Sequence, residues 1–524
     1  MKKALLLTPP HSGSYRSKIM LGDSLALNAV QAKLESLDYT VITLDSSLYD
    51  YELNYLTSYC KDPSLSLIGI SVMSTSSLSH IKLIIGQIRS YSKQVIIVLG
   101  GNAVTLDPNA FVGIGANYII KGSSLSVYDN LFSNIINKKS SWDCIIDAST
   151  YSLSLTNNCF SYNIQHRQNL YASYVSDHIV SIESSRGCYG KCHFCTINYE
   201  YKGNWIPRDL ADLKREIRLI RCALPTCTQL RFVDGNFLGG GIRDYQRILE
   251  LAHFLHYNNF HYRIECREND INKELFSQLK KLGLCGTFIG VENVNNEILK
   301  ILNKGISSND SLMKIKLLQK LRIPSSLGFI MITPTTTKKI IIENLDFLEK
   351  IGFGIRWKHF FSTLIFYKNS NWWPNLNAPE SETEHQLGFK VADKICEKLV
   401  YFNNICLKKH LQVLENEHTL GIFLERGKET FSTDAWEIDS LFSKTCIRIF
   451  RSLLNDIDQC SLSEIDSLCD TYMLLLNNEL LKIISLCKNI NIAPEVALAS
   501  IWERLYHVNS SKRGHMLRTN GALS

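Results

Sequence analysis

The sequence lacks a long apolar run, and this absence bears on its relation to membranes. No stretch of its 524 residues approaches the roughly 18 apolar residues that a membrane-spanning helix requires. Residues 1–7 open with lysines like a signal peptide, but their apolar run is only about four residues long and is predicted as a first β-strand. We therefore expect no transmembrane segment.

Long runs of basic residues are also absent. The chain carries 57 Lys and Arg against 50 Asp and Glu, a modest net charge of +7 that is spread along the sequence. This distribution favours a solvated surface over a nucleic-acid groove, so we expect no nucleic-acid partner.

Cysteine, by contrast, is plentiful, with 16 residues. The chain is too long, and its thiols too scattered, for a secreted disulfide scaffold. Most of the cysteines stand in apolar surroundings, where a free thiol behaves as a small buried hydrophobic group, and a cytoplasmic location is expected. With a hydrophobic content of 45%, the length predicts a globular protein of about two to four domains.

Three of the cysteines lie in one short segment. Cys188, Cys192 and Cys195 form a C-x3-C-x2-C cluster directly after the apolar, β-branched residues 178–184. Three thiolates on one loop can hold three irons of a cubane iron–sulfur cluster, because soft sulfur ligands suit iron–sulfur chemistry. The fourth iron then lacks a protein ligand, so a small molecule can coordinate it and receive an electron.

Chance and zinc are the alternatives to a cluster. Three cysteines at this spacing arise from composition alone in roughly 1 to 2% of such chains. A structural zinc knuckle normally needs a fourth Cys or His at a matching spacing, and His193 inside the loop is the only nearby candidate. We favour the cluster, with zinc or unliganded thiols as the remaining possibilities.

The cysteine segment resembles the radical S-adenosylmethionine (SAM) enzymes. The resemblance implies a 4Fe-4S cluster held by the three cysteines, with SAM on the open iron. It also implies that Phe194, inside the loop, packs on the adenine of SAM.

Residues 1–135 alternate short apolar runs with amphipathic segments, which predicts a doubly wound, Rossmann-like parallel sheet. Its predicted strands are residues 4–7, 41–44, 65–73, 95–99 and 118–120. Small residues follow the strand ends, namely Ser74, Gly100 and Gly101, and Gly122. Ligands of open α/β sheets bind beyond these ends, where glycine permits close backbone approach.

This half of the chain resembles the cobalamin-binding domain of one large class of radical SAM enzymes. The resemblance implies that Ser74, Gly100, Gly101 and Gly122 line the cobalamin groove. The Asp-x-His-x-x-Gly motif that supplies a histidine to cobalt in other cobalamin proteins is absent, and His11 is interpreted as a loop residue.

Residues 136–176 are predicted as a linker, and residues 177–368 as a partial (β/α)6 barrel of the radical SAM type. Its predicted strands are residues 179–184, 230–233, 262–266, 287–291, 326–332 and 355–359. Active groups of such barrels sit at the C-terminal strand ends. Residues 369–524 show helical apolar spacing, including a helix at 494–506, and are predicted to shape the substrate entrance.

Three residues at the barrel strand ends, Asp234, Asn236 and Glu292, match motifs of the resembled class. The resemblance implies that Asp234, with Asn236 beside it, accepts hydrogen bonds from the amino group of the methionine moiety. It implies that Glu292 holds the ribose hydroxyls or the amino group. Arg267 is a candidate for a bidentate pair with the methionine carboxylate, or forms an ordinary ion pair at the barrel rim.

The resemblance implies a cobalamin-dependent radical C-methyltransferase that acts on an unactivated carbon of a small-molecule or natural-product precursor. Its 5′-deoxyadenosyl radical would abstract hydrogen, methylcobalamin would donate the methyl group, and a flavodoxin or ferredoxin type donor would supply electrons.

The alternative within the family is a cobalamin-dependent rearrangement or cyclisation without methyl transfer. Methylthiotransfer is disfavoured because an extra N-terminal cysteine triad is missing. A non-catalytic, zinc-stabilised binding protein is the alternative from another class.

Overall fold

The computed structural model of the chain describes residues 2–9, 24–46, 53–73, 78–122, 142–148, 179–365, 389–429 and 432–487. The predictions made for His11, for Ser74 and for a helix at 494–506 lie outside these residues. No helix in the described part of the chain is long and apolar enough to cross a membrane.

The N-terminal domain is a six-stranded parallel sheet with the strand order β2-β1-β3-β4-β5-β6, which confirms the predicted doubly wound class. Its strands are β1 Lys2–Leu7, β2 Tyr39–Leu44, β3 Leu65–Ser71, β4 Ile96–Gly100, β5 Tyr118–Lys121 and β6 Cys144–Asp147. Strand β6 falls in the segment predicted as a linker and pairs in parallel with β5. It was missed because the Ser, Asn and Lys residues around it favour a linker.

Alternation along β1 explains why helices cover both faces of this sheet. Leu5 and Leu7 are buried in one apolar core, while Ala4 and Leu6 are buried in a second core on the opposite face. Successive side chains of a strand point to opposite faces, so a fully apolar strand needs a layer on each side. The helices are α1 Leu25–Glu35, α2 Leu53–Cys60, α3 Leu78–Tyr91 and α4 Asn102–Leu106.

The second domain contains a five-stranded parallel sheet in which strand order follows chain order, β7-β10-β11-β12-β13. These strands are β7 Ile179–Ile182, β10 Gln229–Phe232, β11 His261–Cys266, β12 Leu284–Glu292 and β13 Ser325–Phe329. A small antiparallel pair, β8 Ser185–Gly187 and β9 Trp205–Pro207, flanks the sheet. The arrangement is a partial α/β barrel, as the sequence predicts.

The sequence predicts a sixth barrel strand at residues 355–359, and this prediction is wrong. Trp357–Phe360 form one 3-10 turn, and the Arg356 N–H donates to His359 Nδ1 at 2.9 Å across it. Residues 355–358 alternate apolar with polar side chains, which imitates a strand, but the turn buries Trp357, His359 and Phe360 alike. The position next to β13 is taken by a single parallel bridge between Ile332 and Thr363.

Seven helices of the described residues surround the barrel sheet, and four form the helical C-terminal region that the sequence predicts. The first group is α5 Thr196–Tyr201, α6 Leu210–Ala223, α7 Ile242–Tyr257, α8 Lys273–Lys281, α9 Asn296–Ile301, α10 Ser308–Lys320 and α11 Lys338–Ile351. The second is α12 Lys394–Lys409, α13 Leu411–Glu429, α14 Thr433–Gln459 and α15 Ile465–Cys487. Both groups share one apolar core, in which Phe360 of the barrel stacks on Phe450 of α14 at 4.5 Å between ring centroids.

Candidate active site

The three clustered cysteines lie on the loop between β8 and α5. Cys188 and Cys192 are buried, Cys195 is half-buried, and all three are free thiols. The Gly190 N–H donates to Cys188 Sγ at 3.3 Å. Burial raises the pKa of the Cys188 and Cys195 thiols, so each of them favours its protonated form until a positive charge reaches the sulfur.

Backbone constraints fix the start of this loop. Gly187 has a φ of +79°, and a Cβ placed there would lie 2.1 Å from the carbonyl oxygen of Asn204. Only glycine satisfies both conditions. The loop therefore enters the site in a conformation that other residues at position 187 cannot adopt.

The outer side of the loop is tied to the segment that follows α9. The His193 N–H donates to the Leu302 carbonyl at 3.0 Å, and its ring Nδ1 lies 2.8 Å from the Ile301 carbonyl oxygen. The Asn303 amide donates to the Lys191 carbonyl at 2.8 Å. These contacts assign His193 to anchoring the loop.

Arg267 reaches the cysteine loop from the end of β11. Its Nη1 donates to Cys192 Sγ at 3.1 Å, its Nη2 donates to the Lys304 carbonyl at 2.7 Å, and the guanidinium lies over the Tyr189 ring. Burial opposes the charged form, but the thiols of Cys192 and Cys188 outweigh it and raise the pKa of Arg267. The structure thus brings Arg267 to the cysteines, and its pairing with a methionine carboxylate stays a prediction.

The Asp234 side chain is fully buried beside the turn between β7 and β8. Its carboxylate accepts hydrogen bonds from the Ser184 N–H at 3.0 Å, the Ser184 hydroxyl at 2.8 Å and the Ser185 hydroxyl at 2.5 Å. Burial raises the pKa of this carboxyl to about 7, although the serine contacts oppose the shift. Asp234 therefore positions this turn, and its contact with the amino group of the methionine moiety stays a prediction.

Asn236 is also fully buried, and its role beside the methionine moiety stays a prediction. Its amide donates to the Gly239 carbonyl at 2.8 Å and to Asp270 Oδ2 at 3.0 Å, and its carbonyl oxygen accepts from the Arg267 N–H at 3.4 Å. Since Arg267 contacts Cys192, Asn236 fixes the backbone that carries this arginine.

Glu292 ends β12 in an unusual backbone conformation. Its φ is +66°, in the left-handed region that residues other than glycine seldom adopt, and a register shift separates it from Gly290. Its carboxylate pairs with the buried Lys304 ammonium at 3.2 Å. The carboxylate therefore stands at the same strand-end face as Arg267, whose guanidinium also contacts Lys304.

Two functional candidates of this region were missed by sequence reasoning, Lys304 and Glu268. Burial raises the pKa of the Glu268 carboxyl to about 7, and the nearby Lys304 ammonium lowers it by less. Glu268 follows Arg267 in the chain, so its position after a barrel strand was a usable signal. Lys304 lies beyond α9 and reaches the site only through packing, which no local pattern indicates.

Phe194 is half-buried and packs against the barrel core. Its place between Cys192 and Cys195 sets it beside the cysteine cluster. Its contact with adenine stays a prediction.

The carboxyl-end edge of the N-terminal sheet carries the predicted glycines. Gly101 has a φ of +101°, and a Cβ there would lie 2.6 Å from the Val72 carbonyl oxygen. A Cβ on Gly100, by contrast, would meet nothing within 4 Å. Gly122, with a φ of +98°, donates its N–H to the Thr105 hydroxyl at 3.0 Å. The edge is therefore open at Gly100 and tightly built around it, as a cradle for a large ligand requires.

The two candidate cofactor loops lie side by side. Helix α4 follows the Gly100–Gly101 turn, and α5 follows Cys195. The two helices contact each other, with Cα atoms within 8 Å. The glycine edge of one domain and the thiols of the other therefore face a shared region.

Comparisons with known families agree with this two-part site. Residues 182–348 match the family model described as Radical SAM superfamily, and residues 21–131 match the model described as B12 binding domain. These domains imply a 4Fe-4S cluster, SAM and cobalamin as the cofactors. The free cysteine loop and the open edge at Gly100 fit these groups.

Two sequence relatives are distant. A Methanocaldococcus jannaschii protein with the provisional name methylthiotransferase is 25% identical over 32% of this chain. An uncharacterised methyltransferase of Pyrococcus horikoshii is 20% identical over 67% of this chain. The chain spans 38% of the length of the first and 78% of the second.

Two solved structures share the fold. The cobalamin-dependent SAM radical enzyme OxsB, with aqua-cobalamin and SAM bound, is 15% identical with a TM-score of 0.61, covering 97% of this chain and 84% of that one. The radical SAM methyltransferase TsrM of Kitasatospora setae is 17% identical with a TM-score of 0.53, covering 67% of this chain and 71% of that one.

Proposed function

Because the chain belongs to the radical SAM enzymes that carry a B12-binding domain, we propose that it is a cobalamin-dependent C-methyltransferase. Its substrate is an unactivated carbon of a small-molecule or natural-product precursor. The single observation that carries the proposal is the contact of α4 with α5, which joins the glycine edge to the cysteine loop. A methyl carrier and a radical source must both reach one carbon, and this contact holds their loops together.

When bound, the cluster and SAM supply a 5′-deoxyadenosyl radical for hydrogen abstraction, and cobalamin supplies the methyl group. The chain's own residues hold and orient these groups. Cys188, Cys192 and Cys195 bind the cluster, Gly100 leaves room for cobalamin, and Arg267 orients the loop through Cys192. The barrel walls exclude water from the reacting groups. A flavodoxin or ferredoxin type protein is the proposed electron donor.

Methyl transfer is supported by names among the relatives. The P. horikoshii protein is named as a methyltransferase, and TsrM is a radical SAM methyltransferase. A second candidate is rearrangement or cyclisation without methyl transfer. It is favoured by the likeness to OxsB, a cobalamin-dependent SAM radical enzyme, which extends over 97% of this chain.

The proposal is tested with anaerobic protein reconstituted with iron, sulfide and hydroxocobalamin. SAM with an isotopically labelled methyl group is incubated with this holoenzyme, a reductant and a small-molecule extract. We expect 5′-deoxyadenosine and a labelled product, both absent from a variant with the three cysteines changed to alanine.

Three outcomes separate the alternatives. A product isomeric with its precursor and free of label supports rearrangement. A protein that binds zinc and takes up no iron overturns the radical assignment. A protein that forms 5′-deoxyadenosine but takes up no cobalamin overturns the cobalamin-dependent part.

A further inference from the structure

A cavity of about 410 Å³ lies in the barrel lumen, between the inner face of the sheet and α13. Arg231, Arg263, Phe288 and Ser326 line it from four strands, and Glu425 lines it from α13. This volume falls in the roughly 300–1,000 Å³ range of small-ligand pockets. The cavity is therefore large enough for a compact metabolite.

Strand β11 connects the cavity to the cysteine loop. Arg263 and Glu265 line it from β11, and Arg267, two residues further on, contacts Cys192. Alternate residues of an extended strand share one face, with a rise of about 3.3 Å per residue, so the step from Arg263 to Arg267 is roughly 13 Å. A small molecule in the cavity would thus lie on the same lumen face as the candidate cofactor site.

Most of the cations around this cavity already have acidic partners. Arg263 pairs with Glu425 at 2.6 Å and also with Glu429. The other pairs are Arg356 and Lys428, both with Asp439, and Arg231 with Glu265. The Arg231 pair is the loosest of them, at 3.4 Å, and about a third of the Arg231 side chain is exposed.

Lys358 differs from these cations. It lines the cavity and is exposed, and its ammonium forms no ion pair or hydrogen bond with any residue that the structure describes. Two imidazoles lie near this positive charge, the buried His359 and the half-buried His418. Burial lowers the pKa of His359 to about 3 and of His418 to about 4, and Lys358 is the next largest cause for both. The cavity therefore has an excess of positive charge at Lys358.

Resting on the proposed function, we propose that the substrate is a small molecule with a phosphate or carboxylate group, which binds Lys358 and Arg231 in the lumen. An anion satisfies the Lys358 ammonium with charge-assisted hydrogen bonds, which are roughly twice as strong as neutral ones. Arg231 lines the same cavity with about a third of its side chain exposed, so its guanidinium can also face the anion. The bound anionic group anchors the substrate, so that a carbon of the same molecule lies toward the C-terminal ends of the barrel strands.

The test uses the anaerobic holoenzyme and calorimetric titration with inorganic phosphate, with succinate and with uncharged glycerol. We expect one anion to bind, and Lys358→Met to weaken it about tenfold, the loss expected for a charged hydrogen bond. Lys358→Arg should keep most of the affinity. Lys316→Met, at an exposed position of α10 away from the cavity, is the matched control and should bind as the wild type does.

The two anions identify the group: phosphate binding alone indicates a phosphorylated substrate, and succinate binding alone indicates a carboxylate. The inference is overturned if neither anion binds, if glycerol binds equally well, or if Lys358→Met and Lys316→Met have the same effect. Formation of 5′-deoxyadenosine and cobalamin content are measured on the same preparation. Their presence without anion binding overturns the inference alone, whereas their absence overturns the proposed function.

Discussion

Arg267 donates a hydrogen bond from Nη1 to Cys192 Sγ at 3.1 Å, and this bond ties β11 to the cysteine loop. The same guanidinium holds the Lys304 carbonyl, so three separate chain segments meet at one side chain. A fixed cation beside a sulfur stabilises the thiolate form that binds metal. The loop is therefore prepared for a cluster by a residue 75 positions away.

Replacing any one of Cys188, Cys192 and Cys195 by alanine should abolish cluster binding, because two sulfurs cannot hold the cubane. We expect essentially complete loss of iron, of the brown absorbance and of 5′-deoxyadenosine formation. Cys222→Ala, at an exposed position of α6, is the control and should change none of the three. Iron analysis and product quantification check the prediction, and normal 5′-deoxyadenosine formation by any loop variant would contradict it.

Gly100→Val should remove cobalamin without unfolding the domain. The added side chain starts in open space at a strand end, and valine favours strands, so we expect a stability change below about 1 kcal/mol. The valine side chain would narrow the cobalamin groove at the end of β4, so the cobalamin content measured after reconstitution should fall severalfold.

Two other glycines are the controls for this prediction. Gly86→Ala lies in α3, where its Cβ meets nothing within 4 Å, and should retain cobalamin while stabilising the helix by about 0.5–1 kcal/mol. Gly101→Ala should destabilise the domain, because its Cβ would overlap the Val72 backbone. Full cobalamin binding by Gly100→Val would show that the ligand lies elsewhere.

Asp234 should make the barrel domain less stable as the pH rises toward neutrality. Its pKa is raised from 3.8 to about 7 in the folded chain, chiefly by burial. Between these values the folded state binds a proton that the unfolded state has lost, so the free energy of unfolding falls by about 1.4 kcal/mol per pH unit. Below pH 3.8 Asp234 is protonated in both the folded and the unfolded chain, so its contribution to the free energy of unfolding no longer changes with pH.

Asp234→Asn removes this titration and should flatten the pH dependence of the urea midpoint between about pH 5 and 7. Glu268, whose pKa is also raised to about 7, should leave a residual slope of the same sign. An unchanged slope in Asp234→Asn would assign the pH dependence to other groups.

Arg263→Met should destabilise the contact of the barrel with α13. The change leaves Glu425 and Glu429 buried without their cation, which costs about 3–5 kcal/mol. Arg451→Met is the matched control. Arg451 pairs with Asp346 and Glu349 while a third of its side chain is exposed, so this variant should lose less than about 1 kcal/mol of unfolding free energy. Urea unfolding of both variants checks the difference, and equal losses would contradict it.

Short apolar runs and the alternation of strands with helices sufficed to predict most of the fold. Strand β1 is apolar on both faces, and the chain around it alternates strands with helices, so a covered parallel sheet follows from the sequence. Strand β6 was missed because the Ser, Asn and Lys residues around it favour a linker. The turn at Trp357–Phe360 was predicted as a strand because residues 355–358 alternate apolar with polar side chains, but packing buries all of residues 355–360 except Lys358.

The cysteine loop was predictable because its three ligands lie within eight residues of one another. Residues that reach the site from elsewhere were not. Lys304 comes from beyond α9, and Lys358 faces the lumen only because a turn replaces the expected strand. Asp234 matched a motif, yet full burial gives it a positioning role that spacing alone does not reveal.

The left-handed backbone conformation of Glu292 strains the end of β12 at a residue whose carboxylate pairs with Lys304. A residue with a side chain loses about 1–2 kcal/mol in this conformation, a penalty that glycine avoids. Glu292→Gly would therefore relax the end of β12 while removing the carboxylate beside Lys304. The buried Lys304 ammonium would then lack this partner, and that loss exceeds the strain relieved, so a screen that selects for heat resistance alone should retain the glutamate.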